Sequence, residues 1–138
     1  MPPKLKKKKF SALQQKQPNF SLGIKGEQLA CDFLSNSGYT VLTRNFCNSK
    51  AEEIDIVAFD YQNLELVFLE VKTRKNFYFG SPSTTITQRK LKKMTNLAQR
   101  YLDKYPLPHD FRFDLIAIAT ETDEIDHYQS ISWLSGKQ

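Results

Sequence analysis

Apolar residues recur along the chain at two spacings, one typical of helices and the other typical of strands. Spacings of three and four residues predict a helix over 26–37, closed by Gly38, and a second helix over about 87–104, stopped by Pro106. Alternating or continuous apolar runs predict strands over 39–46, 53–60, 64–72, 111–120 and 127–134. This order of elements predicts an α/β domain with a mixed central sheet flanked by helices.

The first 20 residues are rich in lysine and glutamine and show neither spacing. We therefore predict a flexible basic N-terminal tail over 1–20 and a single domain over 21–138. The lysines are interpreted either as a solubilising tail or as an arm that contacts nucleic acid. No apolar segment follows the basic N-terminus, and the longest apolar runs are far shorter than the ~20 residues of a membrane-spanning helix. We expect a soluble, cytoplasmic protein with no membrane partner.

The charge along the chain falls into four blocks, which the net charge of +5 conceals. Residues 1–26 carry +7, residues 27–71 carry −6, residues 72–104 carry +8 and residues 105–138 carry −4. Basic blocks favour contact with a polyanion, most often nucleic acid. The acidic block between them would repel that polyanion unless a divalent cation neutralised its carboxylates.

Two acidic residues and one lysine occupy the ends of neighbouring predicted strands. Glu70 and Lys72 lie on one face of their strand, at the point where its apolar run ends. On the preceding strand, Asp55 shares a face with Val57, and the opposite face carries Ile54 and Ile56. A tight turn at 61–63 would bring Asp55 to the same end of the sheet as Glu70 and Lys72.

A third carboxylate is predicted to approach from the first helix. On a helical wheel Glu27 lies beside Leu34, at the edge of the apolar face. It either complements the helix dipole from the first turn or joins the other acids. Carboxylates and a lysine at a sheet edge suit Mg²⁺ (or Mn²⁺) and phosphodiester hydrolysis. The structural alternative is an ion pair of Lys72 with Glu70 or Asp55.

The second predicted helix separates an apolar face from a basic one. Its basic face carries five cations, namely Arg89, Lys92, Lys93, Arg100 and Lys104. Lys90 borders the apolar face and is therefore the cation most able to reach the sheet and its carboxylates. We predict salt-sensitive phosphate contacts from Arg74, Lys75, Arg89, Lys90 and Lys93.

Two further features have a structural and a functional interpretation. Asp114 lies within an otherwise apolar strand, so a structural hydrogen bond or an arginine partner is favoured over a role in metal binding. The aromatic segment 76–80 either fixes its loop to the core or stacks on bases.

A series of short motifs resembles a known family. In order they are "GIKGEQLACDFLSNSGYTVLTRNF", "EEIDIVAFD", "LVFLEVKTR", "FGSP" and "ITQRK", spanning about residues 21–119. They resemble the YraN family of small bacterial proteins, which is similar to the PD-(D/E)xK restriction-endonuclease-like and Holliday-junction-resolvase-like nucleases. The resemblance implies a restriction-endonuclease-like core.

The resemblance also implies roles for individual residues. Asp55 matches the metal-binding aspartate, and Glu70 and Lys72 match the acid and the lysine of (D/E)xK. Glu27 matches a helix-borne glutamate that resolvase-like relatives add to the metal site, and Glu53 matches the glutamate of the family's "GEID" segment. The chain departs from the pattern at two positions, where Glu52 replaces the usual glycine and Ile54 the motif's proline.

The implied activity is Mg²⁺-dependent endonuclease cleavage of DNA rather than RNA, on branched or otherwise structured substrates. Asp55, Glu70 and Lys72 are the implied catalytic residues, and Glu27, Asp55 and Glu70 the implied metal ligands. A homodimer is implied by analogy with resolvases. Two alternatives remain open, namely a catalytically inactive nucleic-acid-binding module with the same fold, and a protein-interaction role for the basic helix.

Overall fold

Two helices cover opposite faces of a six-stranded mixed sheet. A computed structural model describes residues 4–9, 22–49, 52–78, 86–106 and 110–131. Its elements in chain order are β1 (Lys4–Lys9), α1 (Leu22–Ser35), β2 (Tyr39–Ser49), β3 (Glu52–Asp60), β4 (Glu65–Arg74), α2 (Gln88–Lys104), β5 (Asp110–Ala119) and β6 (Glu124–Tyr128).

The strands lie in the order β1-β6-β5-β4-β3-β2. β4 and β5 pair in parallel, and every other neighbouring pair is antiparallel. The predicted α/β class with a mixed sheet is therefore confirmed, and the arrangement is consistent with a restriction-endonuclease-like core. Neither described helix is both long enough and apolar enough to cross a membrane.

The central strands are apolar on both sides because each side is covered by a helix. On one face Phe33 of α1 shares a buried cluster with Leu69 of β4. On the other face Met94 of α2 shares a second cluster with Phe68, the neighbour of Leu69. α2 presents its predicted apolar stripe to the sheet, and its exposed cations lie on the outer side, namely Arg89, Lys92, Arg100 and Lys104.

α1 begins at Leu22, four residues before the predicted start, and ends at Ser35. Gly38 lies three residues beyond this end and adopts φ +88°, a left-handed conformation that glycine favours, and its role as the C-terminal cap stays a prediction. The earlier start moves Glu27 from the first turn to the second, and the first turn carries no acidic residue. The interpretation of Glu27 as an acid complementing the helix dipole is therefore wrong, because that effect fades beyond the first turn.

Turns set the ends of two further strands. The predicted connection between β3 and β4 is a hairpin turn, in which Asp60 Oδ1 accepts hydrogen bonds from the backbone nitrogens of Gln62 and Asn63. β6 begins at Glu124, three residues before the predicted start, because 120–123 turn tightly with Asp123 at φ +62°. β6 ends at Tyr128, so residues 129–131 of the predicted strand are not part of it, and 132–134 lie outside the described residues.

The backbone of Lys4–Lys9 forms β1, which pairs antiparallel with β6. This differs from the flexible tail predicted over 1–20, because strand pairing uses main-chain groups and does not require the apolar alternation on which the prediction relied. Lysine is also a residue that natural sheets use on their edge strands. Residues 1–3 and 10–20 lie outside the described part, so the boundary at residue 20 stays a prediction.

Close packing of α1 on β4 gives a first testable expectation. A Cβ atom added at Gly26 would lie 2.7 Å from Thr73 Oγ1 and 2.8 Å from Thr73 Cγ2. Gly26→Ala should therefore lower the unfolding free energy by about 1–3 kcal/mol, measured by urea denaturation. In a Thr73→Ala background the closest remaining side-chain atom is 3.3 Å away, so the same substitution should cost much less. Equal costs in the two backgrounds would contradict this contact.

Candidate metal centre

Three carboxylates converge at one end of the sheet. One oxygen each from Glu27, Glu53 and Asp55 can be chosen so that the three atoms lie within 4.8 Å of one another. α1 supplies Glu27, and β3 supplies Glu53 and Asp55. Glu27 and Asp55 are half-buried, and Glu53 is exposed to solvent. A helix and a strand distant in sequence thus bring like charges together, which is costly unless a cation or a proton compensates.

Asn45 connects two of these acids. In the amide orientation that satisfies both neighbours, its Nδ2 donates to Glu53 Oε1 at 2.9 Å and to Glu27 Oε1 at 3.0 Å. Its backbone adopts φ +54°, a left-handed conformation that asparagine tolerates better than most residues. Asn45 was not among the site residues predicted from the sequence. The available signal was an asparagine within a predicted strand, where this residue is disfavoured.

Asp55 lies where the backbone pairing of β3 with β4 ends. That pairing runs from Asp60 opposite Glu65 to Ile56 opposite Leu69. Beyond this last backbone pair, the Asp55 side chain bonds to β4 instead, because its Oδ2 accepts a 2.7 Å hydrogen bond from the backbone nitrogen of Val71. The hairpin register therefore carries Asp55 toward Glu70, as the sequence predicted.

The alternation of faces along β3 is interrupted next to Asp55. Ile54 and Val57 both belong to the cluster under α2, whereas Ile56 and Ala58 belong to the cluster under α1. The prediction that Ile54 shares a face with Ile56 is therefore wrong. The interruption falls on Asp55 and Ile56, so the carboxylate lies where the strand departs from regular alternation.

The crowding of negative groups changes the acidity of the cluster. Burial, followed by the negative charge of Glu70, raises the pKa of Asp55 from 3.8 to about 8. Burial, followed by the charge of Glu53, also raises the pKa of Glu27. Carboxylate oxygens are the hard ligands that Mg²⁺ and Mn²⁺ prefer, and a divalent cation would remove the repulsion that raises these pKa values. The donor set therefore fits such an ion.

Glu70 lies beside this group and contacts two ammonium groups. Its Oε2 is 3.4 Å from Lys72 Nζ, and its Oε1 is 3.4 Å from Lys90 Nζ. The structure thus brings Glu27 and Asp55 of the predicted ligand set together with Glu53, and adds Glu70 as an ion-paired neighbour. The assignment of Glu27, Asp55 and Glu70 as metal ligands stays a prediction, as do the catalytic roles of Asp55, Glu70 and Lys72.

The predicted phosphate-contacting residues lie around the same end of the sheet. Lys90, in the first turn of α2, reaches Glu70 as the helical wheel predicted. Arg74 ends β4, two residues after Lys72, and Lys75 follows it. Arg89 precedes Lys90 by one residue and is exposed, and Lys93 follows Lys90 by about one turn and is half-buried. Their contacts with nucleic acid stay a prediction.

The aromatic segment near this end is only partly described. Phe77 is half-buried, Tyr78 is 81% exposed, and 79–80 lie outside the described residues. The Tyr78 ring is therefore not held against the core. Base stacking by this segment stays a prediction.

Asp114, in the middle of β5, belongs to a buried polar network that extends through Arg112 to Asp60 at the other end of β3. It is fully buried, and its carboxylate accepts hydrogen bonds from the Arg112 guanidinium and from the backbone nitrogen of Ser130. His127 Nε2 lies 2.8 Å from Asp114 Oδ2. The predicted structural role of Asp114, with an arginine partner, is confirmed.

Comparison with known proteins agrees with the resemblance seen in the motifs. Residues 26–118 match the model of "Uncharacterised protein family UPF0102". A UPF0102 protein of Clostridium botulinum (strain Loch Maree / Type A3) is 45% identical over 106 residues, which are 75% of this chain and 84% of the relative. A UPF0102 protein of Phocaeicola vulgatus is 40% identical over 100 residues, which are 72% of this chain and 79% of the relative. The chain therefore belongs to the UPF0102 family, which is the YraN family.

Proposed function

We propose that this protein is a divalent-cation-dependent endonuclease that hydrolyses phosphodiester bonds in DNA, with branched or structured DNA as the preferred substrate. The observation that carries the proposal is the convergence of Glu27, Glu53 and Asp55, within 4.8 Å, beside a glutamate that contacts two lysines. This combination supplies both negative ligands for a cation and positive groups for a phosphate.

The three clustered carboxylates Glu27, Glu53 and Asp55, here called the acidic group, are the proposed cation site. Glu27 and Asp55 would hold Mg²⁺ or Mn²⁺ together with Glu53, and Glu70 would complete the set from β4. When bound, the ion supplies Lewis acidity and neutralises charge on the phosphodiester. Asn45 keeps Glu27 and Glu53 oriented toward each other through its two hydrogen bonds. Val71 N fixes the Asp55 carboxylate in the same way.

Lys72 is the proposed partner of the scissile phosphate. Its ammonium group lies 3.4 Å from Glu70 and its side chain is 38% exposed, so it is anchored and still accessible to substrate. It would orient the attacking water and stabilise negative charge that develops on the phosphate. Lys90 holds the other oxygen of Glu70, and a shift of Glu70 toward a cation would release both ammonium groups for the phosphate.

The surrounding cations would bind the DNA backbone. Lys90 contacts Glu70, Arg74 and Lys75 follow Lys72 at the end of β4, and Arg89 and Lys93 lie within one turn of Lys90 on α2. Contacts of this kind fix the position of the backbone without reading bases, which suits recognition of DNA shape. Affinity should then fall steeply as salt concentration rises.

One observation favours a second candidate, a nucleic-acid-binding module without catalysis. Both oxygens of Glu70 contact lysines, so its charge is compensated within the chain and a cation would have to compete for it. Binding without cleavage would follow if those ion pairs persisted with DNA bound.

Cleavage assays with a matched pair of lysine variants separate the two candidates. The substrates are branched, flapped, single-stranded and linear DNA, each with Mg²⁺, Mn²⁺ or EDTA. We expect wild-type protein to cleave at least one substrate only when a cation is present, and Lys72→Met to reduce the rate on the order of 10²–10⁴-fold while DNA binding is retained. Lys104→Met removes an equally long, exposed cation about 21 Å along α2 from Lys90 and should leave the rate unchanged.

The possible outcomes distinguish the candidates. Cation-independent DNA binding without cleavage of any substrate would contradict the nuclease proposal and support the binding module. Equal losses of cleavage rate in Lys72→Met and Lys104→Met would show that Lys72 has no specific role in cleavage.

A further inference from the structure

Large apolar side chains are exposed at the end of the sheet opposite the acidic group. This end carries the turn between β3 and β4, and Asp60, which precedes the turn, lies five residues beyond Asp55, or about 17 Å along a strand. Tyr61 in the turn is 60% exposed, Phe111 at the start of β5 is 43% exposed, and Tyr105 just after α2 is 45% exposed. The proposed nuclease chemistry uses none of these three side chains.

Strand pairing and a ring contact connect the turn to β5. The Tyr61 ring packs against Phe59, with centroids 4.8 Å apart. Phe59 pairs with Leu66 of β4, and Leu66 pairs with Phe111 of β5. Because directly paired residues of neighbouring strands point to the same face, these side chains form a row across three strands.

Ring contacts extend the row to the end of α2. Phe111 lies 5.9 Å from the Phe68 ring, and Phe68 lies 5.7 Å from Tyr101 of α2. Tyr101 in turn lies 4.9 Å from Tyr105. The exposed rings are therefore neighbours on the α2 side of the sheet, with a buried aromatic layer beneath them.

Leu64 adds an exposed leucine in a backbone conformation that leucine disfavours. It ends the turn 61–64 at φ +55°, a left-handed conformation in which glycine and asparagine are the usual residues. Its side chain is 58% exposed, so packing within the chain does not compensate for the strain. A residue that lowers stability without being buried is expected where its side chain contacts another molecule.

The exposed area suits a reversible contact between two proteins. We call Tyr61, Leu64, Tyr105 and Phe111 the turn-end patch. At ~200 Å² for each large side chain, their exposed fractions amount to roughly 400 Å² of accessible surface. Two such patches and their polar rims would together bury about 1,000–1,200 Å², which is the lower limit of specific interfaces.

Charges of both signs at the rim favour a second copy of this chain as the partner. Lys104 Nζ lies 5.4 Å from the centroid of the Tyr105 ring, and Asp110 directly precedes Phe111. Both charged residues are exposed. A two-fold axis passing between them would bring Lys104 of each copy toward Asp110 of the other, so the surface is complementary to itself.

From these observations we infer that the turn-end patch is the interface of a symmetric, reversible homodimer. The acidic group of each copy would lie at the end of the sheet away from the interface, so both groups would stay accessible. This inference does not depend on the nuclease proposal, because it needs neither a cation nor DNA.

Sedimentation equilibrium of the full chain, in EDTA and without DNA, tests the inference. We expect the average mass to rise with concentration from that of one chain toward that of two, with a midpoint on the order of 10–100 μM. A chain that stays monomeric up to about 1 mM would assign the patch to a different partner and overturn the inference. A mass that rises beyond two chains would contradict the two-fold symmetry.

Leu64→Asn separates the interface from the stability of the fold. Asparagine tolerates the left-handed backbone and removes the apolar contact. The variant should therefore raise the melting temperature of the dilute monomer by about 2–6 °C. It should also weaken the dimer about 5–20-fold. A variant that melts higher and dimerises like wild type would show that Leu64 does not contribute to an interface.

Two tyrosine variants form a matched pair. Tyr61→Ser should weaken the dimer about 10–100-fold, because it removes an exposed aromatic ring from the patch. Tyr78→Ser removes a ring that is more exposed but lies near the other end of the sheet, and it should leave the dimer affinity unchanged. Equal losses in the two variants would overturn the inference.

Reversal of the two rim charges tests the symmetry of the contact. Asp110→Lys should weaken the dimer, because Lys104 of the other copy would face a like charge. Adding Lys104→Asp should restore the affinity to within about threefold of wild type. A double variant that dimerises no better than Asp110→Lys would contradict the two-fold arrangement.

Discussion

Asp55→Asn should make the cation-free protein more stable and abolish its response to divalent cations. The wild-type carboxylate is buried beside Glu70, Glu53 and Glu27, and the pKa of Asp55 rises to about 8 as a result. Asparagine has no carboxyl proton to retain, so it removes the cost of keeping this carboxyl protonated at pH 7 while the unfolded chain ionises it, and it keeps an oxygen that can accept the hydrogen bond from Val71 N. We expect a gain on the order of 1–3 kcal/mol in unfolding free energy at pH 7 in EDTA.

The pH dependence of stability should change in the same variant. Between pH 4 and about 8, native Asp55 retains a proton that the unfolded chain releases, so wild-type stability should fall as pH rises, by at most ~1.4 kcal/mol per pH unit from this group. Asp55→Asn should show a flatter profile from pH 5 to 8. The lowered pKa of Asp60, which reflects its bonds to Asn63 and Arg112, acts in the opposite direction but only below about pH 4.

Mg²⁺ should reverse the order of stability. A cation at 100 times its dissociation constant stabilises the state that binds it by about 2.7 kcal/mol, so wild-type protein should gain this amount at pH 7.5 and the variant almost none. Thermal unfolding with and without Mg²⁺ measures both effects. Asp103→Asn, at an exposed position of α2, is the matched control and should change neither value. Lower stability of Asp55→Asn in EDTA, or an equal Mg²⁺ response, would contradict the proposed centre.

Arg112→Met should cause the largest loss of stability of any single substitution considered. Arg112 is 8% exposed, and its guanidinium contacts Asp60, Glu65 and Asp114 as well as Tyr39. Its removal leaves buried carboxylates without a cation, at a cost of about 3–5 kcal/mol or more. That is a large part of the ~5–15 kcal/mol typical of a folded domain, so we expect a large fall in the urea midpoint or loss of soluble protein.

Two comparisons keep this expectation testable even if the variant does not fold. Arg100→Met removes an exposed arginine from α2 and should change stability by less than ~0.5 kcal/mol. Adding Asp114→Asn to Arg112→Met should recover part of the loss, because one uncompensated charge disappears. A soluble Arg112→Met protein with wild-type stability, or a double variant less stable than the single one, would show that the network does not act through charge pairing.

Periodicity was enough to predict the elements and several contacts between them. The turn at 61–63 fixes the register of the β3–β4 hairpin, so the positions of Asp55 and Glu70 at one end of the sheet follow from counting residues. The approach of Lys90 follows from its place on the helical wheel, since the apolar stripe of α2 must face the sheet.

Other contacts depend on local departures from regular geometry, which periodicity does not describe. Glu53 joins the acidic group through Asn45 in a left-handed conformation, next to the interruption of alternation between Ile54 and Val57. β1 pairs with β6 through main-chain groups. Its sequence is almost entirely lysine, so it has no apolar alternation that would predict a strand. A cavity lined in part by Phe33, Asn63 and His127 draws on α1, the β3–β4 turn and β6, so the periodicity of a single element does not predict it.

The bond between Val71 N and Asp55 Oδ2 joins the acidic group to the backbone of β4. The amide proton of Val71 therefore experiences every change in the ionisation of that carboxylate. In a nitrogen-15 correlation spectrum, this single resonance would act as a built-in indicator for the centre, observable without any substrate, attached probe or substitution.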